Sequence, residues 1–271
     1  MNQGNVDPAS IPAPLRERIY ALWDELTAFD ASRTEEALLH LLAGLCEIAG
    51  ADNAYWLGAV RMSEGVHADP LNGWRPRAVR YLHHHQRELE AYAEGLRRME
   101  ETDGGDPHVL EQVRHAGHFR ATLLRDIAAP SFFESRYFDV IYRQRGIRDA
   151  AFVAMPLNAD CESFYGLQRR GSEGRLFSHE ELGRAAFLLR GLGWFQRQLM
   201  LSHGLQISTG ALTDSERRVL SELLTDKTEK LIAKSLGLSP TTVHSYVRSL
   251  YRKFAVNSRA GLAALWLGQE G

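Results

Sequence analysis

The spacing of apolar residues before Ser202 predicts alternating helices and strands. Helical periodicity predicts helices over Leu15–Phe29, Glu35–Ala49, Val79–Met99, Pro107–His118, Phe132–Arg145 and Glu180–Leu201. Short apolar runs without that period predict strands over Asn53–Val60, Ala151–Pro156 and Ser163–Arg169. Helices before, between and after a few strands indicate an α/β/α layered domain with a mostly antiparallel sheet.

The pattern changes after Ser202. Residues 203–211 carry two glycines and small polar side chains, which is typical of a linker. Beyond it, Thr213 and Glu216 have the capping-box spacing of a helix N-terminus, and helical periodicity continues to Leu267. We therefore expect an α+β fold in which a flexible N-terminus (1–14) and a layered domain (15–202) precede the linker (203–211) and an all-α four-helix domain (212–271).

The segment from Gly237 to Phe254 predicts a tight turn followed by an amphipathic helix. Gly237 suits a left-handed helix end, Ser239 an N-cap and Pro240 the first helical position. Apolar residues recur there at spacings of three and four and share one face, namely Val243, Val247, Leu250 and Phe254. Polar residues lie away from that face, namely Thr241, His244, Ser245 and Arg248. A short helix, a turn and a second helix with an exposed polar face are what a reader of the DNA major groove needs.

The charge distribution is compatible with this interpretation. The chain of 271 residues has a net charge of −2, which alone predicts no nucleic-acid partner. From Ala211 onward, nine lysines and arginines stand against six acids, so this part is +3 and the first 210 residues are −5. A basic module attached to an acidic one is typical of a DNA-binding domain on a sensor, although a difference this small also arises by chance.

Several other classes of protein are not indicated. Cys46 and Cys161 provide neither a disulfide framework nor a zinc pattern. No apolar run reaches the length of a membrane span, and the N-terminus lacks the basic start and apolar core of a signal peptide. No glycine-rich phosphate loop, metal-ligand set or catalytic constellation stands out. We therefore expect a cytoplasmic, non-enzymatic protein without a metal or cofactor.

Four stretches resemble one family of DNA-binding domains. LTDSERRVLSELL, IAKSLGLS, TTV and LYRKFAVNSRA, followed by a last short helix, are similar to the LuxR/NarL-type helix-turn-helix domain over about residues 212–267. The first three helices would also suit region 4 of a bacterial sigma factor, but the fourth helix after the Ser-Arg pair favours LuxR/NarL. The resemblance implies a transcriptional regulator that binds double-stranded DNA as a homodimer, at an inverted-repeat operator.

The resemblance also implies which residues contact DNA. The base contacts of the family fall on His244, Ser245 and Arg248. Its phosphate contacts and the basic positions after the recognition helix fall on Thr228, Lys230, Thr241, Thr242, Lys253 and Arg259. The chain departs from the family pattern at His244, Tyr246 and Leu231, where lysine, histidine and glutamate are common. The operator is therefore expected to differ from that of other members.

The fourth helix has two interpretations. In the family this helix commonly contributes to dimerisation, which makes Leu262, Leu265 and Trp266 candidates for a dimer face. The alternative is that these side chains only cover the core of their own domain.

The end of the first domain resembles GAF-like sensory domains found ahead of LuxR-type modules. The stretch SFYGLQRRGSEGRLFSHEELGRAAFLLRGL has their strand ending in arginine, a loop, Phe-Ser and a long helix. The resemblance implies a small-molecule or protein signal, and the aromatic residues expected to line a pocket are Trp56, Trp74, Phe133 and Tyr137. The spacing of Trp, Tyr and Asp in acyl-homoserine-lactone receptors does not align, so a different effector is expected.

Two functional hypotheses follow from these patterns. In the first, the protein is a sequence-specific DNA-binding regulator, like others of the quorum-sensing type, that responds to a signal at its first domain. In the second, the first domain is a ligand-free interaction module or an enzyme, and the helical tail is an accessory. A lined apolar cavity in the first domain would favour the first hypothesis.

Overall fold

The computed structural model of the protein describes residues 10–61, 69–83, 90, 93, 107–171, 175–205 and 212–267. Its helices are α1 (Ala13–Thr27), α2 (Thr34–Ala49), α3 (Pro107–Arg114), α4 (Leu124–Ile127), α5 (Arg136–Ile141), α6 (His179–Arg190), α7 (Gly193–Ser202), α8 (Asp214–Leu223), α9 (Glu229–Leu236), α10 (Pro240–Lys253) and α11 (Arg259–Trp266). Its strands are β1 (Asn53–Arg61), β2 (Trp74–Tyr81), β3 (Arg120–Leu123), β4 (Ile147–Asn158) and β5 (Cys161–Arg170). Short 3-10 turns occur at Ala31–Arg33, Pro130–Glu134 and Arg143–Arg145.

These strands form one antiparallel sheet in the order β2-β1-β5-β4-β3. Tyr55 of β1 lies opposite Gly166 of β5, which in turn lies opposite Phe152 of β4. A bulge between Gly58 and Ala59 shifts the register of β1 against β2. The predicted layered domain with an antiparallel sheet is therefore confirmed.

Side-chain alternation gives the sheet two different faces. Trp56, Tyr165 and Val153 lie opposite one another on one face and are buried. Helices cover this face, because Arg169 donates hydrogen bonds to backbone carbonyls at the end of α2 and to Glu181 of α6. The opposite face carries Tyr55, Gly166 and Phe152, and it borders a cavity.

The predicted helix over Val79–Met99 is wrong at its start. Val79 and Tyr81 belong to β2, which pairs with β1, and most of the remaining range lies outside the described residues. β2 contains Pro76, whose missing N–H is tolerated because this strand lies at the edge of the sheet. The short strand β3 was not predicted, because its four buried residues are too few to show a period.

The predicted helix over Phe132–Arg145 is divided into shorter pieces. A 3-10 turn ends at Glu134, and α5 begins after Ser135, whose side chain accepts a hydrogen bond from the Phe138 N–H. Serine at that position caps a new helix, so the apolar spacing continues while the backbone axis changes.

The predicted helix over Glu180–Leu201 is divided between α6 and α7 at Gly191 and Leu192. The indole of Trp23 in α1 donates a hydrogen bond to the Leu188 carbonyl at 3.0 Å. A Cβ atom at Gly191 would lie only 2.4 Å from the Trp23 ring. The close approach of α1 therefore requires glycine at the interruption.

Contacts divide the chain into two compact units. The first unit comprises residues 1–24 and 39–193, and the second comprises residues 25–38 and 194–271. The second unit includes the segment before α2, because Ala31 packs against the cluster of the C-terminal helices and Glu35 pairs with Arg217. The predicted linker at residues 203–211 lies inside this unit, and residues 206–211 are outside the described part.

The second unit contains the predicted four-helix domain. Helices α8 to α11 enclose a continuous apolar cluster, whose members on the last two helices include Val243, Val247, Leu250, Phe254, Leu262, Leu265 and Trp266. Each of the helices has a side-chain N-cap, supplied by Thr213, Thr228, Ser239 and Ser258. The prediction of a capped all-α domain is confirmed.

No helix among the described residues is long and apolar enough to cross a membrane. The described residues also contain no cluster of three or more His, Cys, Asp or Glu side chains that could hold a metal ion. In the His83-His84-His85 string, the second and third histidines lie outside the described residues.

Replacing Gly44 by alanine is expected to destabilise the first unit by about 1–3 kcal/mol, since a Cβ there would overpack the core. That Cβ would lie 2.4 Å from Leu22 Cδ2, and the Leu22 side chain is completely buried. The clash outweighs the gain of about 1 kcal/mol in helix propensity. Thermal unfolding of the full chain measures the effect. Gly193→Ala is the matched control, because no atom lies within 4 Å of the added Cβ, and an equal loss in both variants would contradict the packing argument.

Candidate nucleic-acid interface and internal cavity

A tight turn joins α9 to α10. Gly237 ends α9 in the left-handed conformation with a φ of 66°, and its N–H donates to the carbonyls of Ala233 and Lys234. Ser239 then caps α10 by accepting a hydrogen bond from the Thr242 N–H at 3.0 Å, and Pro240 takes the first helical position. Local sequence therefore fixes where α10 starts.

Helix α10 has one buried face and one exposed face. Val243, Val247 and Leu250 are buried against the other helices of the unit. The side chains predicted to contact DNA on this helix are exposed, namely Thr241, His244, Ser245 and Arg248, whereas Thr242 is half-buried. The exposed set forms a polar strip that includes the positive charge of Arg248, and it lies on an α-helix, an element that a major groove admits.

Two further predicted contact residues lie at the start of α9. Thr228 is the exposed N-cap of this helix, and the Leu231 N–H points toward its hydroxyl at 3.4 Å. Lys230 is exposed one residue inside the helix and forms no ion pair within the described part of the chain. A helix N-terminus with a free lysine is suited to a phosphate group.

His244 is held by a carboxylate. Its Nδ1 lies 3.1 Å from Glu229 Oε2 at the start of α9, and both side chains are largely exposed. The interaction links the start of α9 to the second turn of α10. A DNA contact by His244 therefore uses the other ring nitrogen or replaces Glu229 as its partner.

Lys253 has an internal partner. Its Nζ donates to Glu216 Oε2 at 2.7 Å, and Ser249 also donates to the same carboxylate at 3.0 Å. Glu216 further accepts from the Thr213 N–H as part of the capping box. Burial alone would raise the pKa of Glu216, but these hydrogen bonds together hold that pKa below its ordinary value. The ion pair connects α8 to the end of α10. It also partly neutralises the ammonium group of Lys253, which was predicted to contact DNA.

A partly open cavity of about 190 Å³ lies in the first unit. It is lined mainly by aromatic and aliphatic side chains on the sheet face that carries Tyr55 and Phe152. The other lining residues come mainly from β2, α3 and α5, including Trp74, Val79, Tyr81, His108, Val109, Tyr137, Ile141 and Tyr142. A concave, mostly apolar site with a few polar groups is typical of small-molecule binding.

The four predicted pocket residues are placed differently by the structure. Trp74 and Tyr137 line the cavity. Trp56 lies on the opposite sheet face, completely buried, and its indole donates to Ser163 Oγ at 3.0 Å. Phe133 packs outside the cavity against Phe132 and Phe138, with ring centroids 5.4 and 5.2 Å away. Only two of the four are therefore brought together.

One side of the cavity wall is a buried ion pair. Arg120 forms two hydrogen bonds with Glu162, at 2.7 and 2.9 Å, and both side chains are more than nine-tenths buried. Gln112 accepts from Arg120 Nε at 2.9 Å and donates to Thr122 at 2.6 Å. These polar groups satisfy one another, so this side of the wall is a structural support.

Comparison with known proteins agrees with the geometry of the second unit. Residues 210–266 match the family model described as bacterial regulatory proteins, luxR family. The chain carries a LuxR-family helix-turn-helix domain. No curated protein matched the sequence.

Solved structures with similar folds include two structures of SdiA. One is SdiA in complex with octanoyl-rac-glycerol, with 14% identity, a TM-score of 0.49, and 94% of this chain and 95% of that chain covered. Another is Escherichia coli SdiA in space group P6522, with 14% identity, a TM-score of 0.41, and coverages of 91% and 94%. The VqsR LBD domain from Pseudomonas aeruginosa has 16% identity and a TM-score of 0.46, and the match covers 70% of this chain and 98% of that one.

Two residues at which the LuxR-family domain departs from its family pattern lie at or near the surface, and one basic residue that matches the pattern contacts the backbone. Tyr246 packs at the edge of the apolar cluster, and Leu231 is 53% exposed. Arg259 donates to the carbonyls of Leu223 at 2.7 Å, of Lys227 at 2.6 Å and of Thr225. Arg259, at the N-terminus of α11, thus holds the turn between α8 and α9.

The candidates for a dimer face on α11 lie inside the domain. Leu262, Leu265 and Trp266 are at most 9% exposed, and the Trp266 ring lies 5.7 Å from that of Phe254. In the protomer they cover the core, as the second interpretation of the sequence stated.

Sequence reasoning missed several residues that line the cavity. Tyr55, Tyr81, His108 and Tyr142 were not among the predicted pocket residues, although all four border the space. The signal for Tyr55 was present in β1, where Tyr55, Leu57 and Ala59 alternate with Trp56 and Gly58. The signal for Tyr81 was hidden because β2 was predicted as a helix.

Replacing Glu216 by glutamine is expected to lower the free energy of unfolding of the C-terminal helices by about 1–3 kcal/mol at neutral pH, because Lys253 loses its charged partner. The folded-state pKa of Glu216 is depressed. Its stabilisation is therefore present above the ordinary value of 4.5 and is lost as the pH falls through the folded-state value. Urea unfolding, followed through NMR amide signals of α10 at neutral and acidic pH, measures the change.

Asp214→Asn is the matched control for this variant. Asp214 lies in the same first turn, and its side chain is 91% exposed. Its replacement is expected to cost less than about 0.5 kcal/mol. An effect of E216Q that stayed the same at acidic pH would contradict the charge-dependent role of Glu216.

Proposed function

We propose that the protein is a sequence-specific DNA-binding transcriptional regulator whose activity is controlled by a small molecule bound in the cavity of the first unit. The observation that carries the DNA-binding part is the exposed strip on α10, which includes His244, Ser245 and Arg248, on a LuxR-family domain. This polar strip stands opposite a fully packed apolar face. The domain therefore has a surface that packing does not use.

The exposed side chains divide into base readers and phosphate binders. Arg248 can form two parallel hydrogen bonds to guanine, which discriminate against other bases by about 1–3 kcal/mol. Ser245 and His244 lie on the same surface, and each can donate and accept a hydrogen bond. Thr228, Lys230, Thr241 and Thr242 lie near the N-termini of α9 and α10, where they position the domain on the backbone without reading sequence. Lys253 makes a smaller contribution in this proposal, because Glu216 already neutralises it.

In this proposal the regulator acts as a homodimer, and its affinity for DNA depends on the ligand. Two domains related by two-fold symmetry would read an inverted repeat with half-sites about one helical turn apart. A ligand changes DNA affinity only by binding the DNA-competent and incompetent states with different strength. The cavity supports a sensory role for the first unit over a ligand-free module, because it leaves lined apolar space beside the sheet.

Arg248→Ala is expected to reduce the preference for the selected operator over random DNA by about tenfold, because the lost contact reads a base. Mobility shift with the full chain measures this ratio, on an operator obtained by selection from a random library. Arg114→Ala removes the same charge from an exposed side chain of the first unit and should leave the ratio unchanged. Equal binding of the wild-type protein to every sequence would overturn the proposal.

Lys230→Ala is expected to weaken binding to specific and random DNA alike, because Lys230 is assigned to a phosphate. The slope of log K against log salt should fall in magnitude by about 0.9. Lys234→Ala is the control, since Lys234 is exposed on the same helix one turn further from its N-terminus. A loss confined to the operator, with an unchanged salt slope, would assign Lys230 to base reading and contradict the phosphate role.

A further inference from the structure

The volume of the cavity indicates the size of the group that it can surround. An apolar cavity of about 150 Å³ in another protein takes up a benzene molecule. The cavity here measures about 190 Å³ and is partly open, so it can surround one ring with a small substituent. Its lining is dominated by aromatic and aliphatic side chains, so the ring itself is expected to be apolar.

His108 is a polar side chain that the fold leaves for a ligand. It lines the cavity, is only 5% exposed and forms no hydrogen bond within the described part of the chain; its Nδ1 is completely buried. Its ring instead packs among aromatic rings, with centroids 4.6 Å from Phe132, 5.5 Å from Tyr137 and 6.4 Å from Tyr142. A buried polar group without a partner carries a penalty that a hydrogen-bonding ligand removes.

The imidazole of His108 is neutral at physiological pH. Burial lowers the pKa of His108 to about 4. A neutral imidazole offers one donor and one acceptor, which matches a hydroxyl group, itself both a donor and an acceptor.

Three of the other charged groups of the lining are ion-paired. Arg120 is paired with Glu162, and Arg75 lies 3.1 Å from Asp69. Arg145 donates from Nη1 to the Ile141 carbonyl at 2.9 Å, while its buried Nε and Nη2 atoms make no hydrogen bond among the described residues. A charged ligand would have to compete with the two ion pairs in an apolar space, whereas a neutral hydroxyl would not.

We propose that the cavity binds a neutral ligand of the phenol class, one aromatic ring carrying a hydroxyl group, with His108 as the hydrogen-bonding partner of that hydroxyl. The inference rests on the proposed sensory function of the cavity and assigns it a ligand chemistry. It distinguishes this site from one built for an anion.

The test compares three probes of similar size on the full chain. Phenol has the ring and the hydroxyl, toluene has the ring alone, and benzoate has the ring and a negative charge. NMR titration of the cavity-lining signals should give the tightest binding for phenol, about five- to tenfold tighter than toluene, as expected for one hydrogen bond. Benzoate should bind more weakly than phenol.

Variants of His108 show whether this residue is responsible. His108→Leu removes both ring nitrogens and should abolish the preference for phenol over toluene while toluene still binds. His108→Gln keeps a donor and an acceptor and should retain most of the preference. Equal binding of phenol and toluene by the wild-type protein, a preference for benzoate, or no binding of any probe would overturn the proposal.

The outcome is independent of the DNA-binding assay. Phenol binding without any DNA binding would leave the ligand assignment standing and contradict the regulator. DNA binding with no probe bound would do the reverse. If His108→Leu fails to fold, the Gln variant and the ranking of the three probes on the wild-type protein still decide the question.

Discussion

The alternation of side chains across the antiparallel sheet is the constraint on which the first unit depends. Because consecutive residues of β1 point to opposite faces, Trp56 enters the helix-covered layer while Tyr55 borders the cavity. A shift of one residue would exchange the two and place a bulky indole in the cavity. Gly166 adds a second requirement, since a Cβ atom there would lie 2.1 Å from the Tyr55 ring. One register therefore defines both the packed layer and the cavity.

The second unit depends on helix ends in a comparable way. Each of the helices α8 to α11 starts at a serine or threonine that caps it, and the α9–α10 turn uses the left-handed Gly237. Glu216 extends the cap of α8 into a bond with Lys253 at the end of α10. Hydrogen bonds at both ends of α10 thus hold this helix in place. They fix the orientation of its exposed strip.

Several charged side chains near the recognition helix have partners within the protein. Lys253 and Arg259 match basic positions of the family, yet Lys253 is paired with Glu216 and Arg259 holds the turn before α9. His244 is similarly engaged by Glu229. Sequence spacing identifies which charges lie near the recognition helix, but it does not reveal an acid from another helix that comes within hydrogen-bonding distance.

The sequence by itself determined the capped helices, the apolar stripe of α10, the exposed polar strip beside it and the pair of strands β4 and β5. These features depend on residues close together in the chain, so local periodicity and cap chemistry are sufficient to find them. Only the tertiary structure decided that residues 74–81 form an edge strand and that Trp56 faces away from the cavity. It also decided that His108 lines the cavity with no hydrogen-bond partner for its Nδ1 atom among the described residues. Each of these depends on pairing or packing between segments distant in sequence, where long-range contacts outweigh local preference.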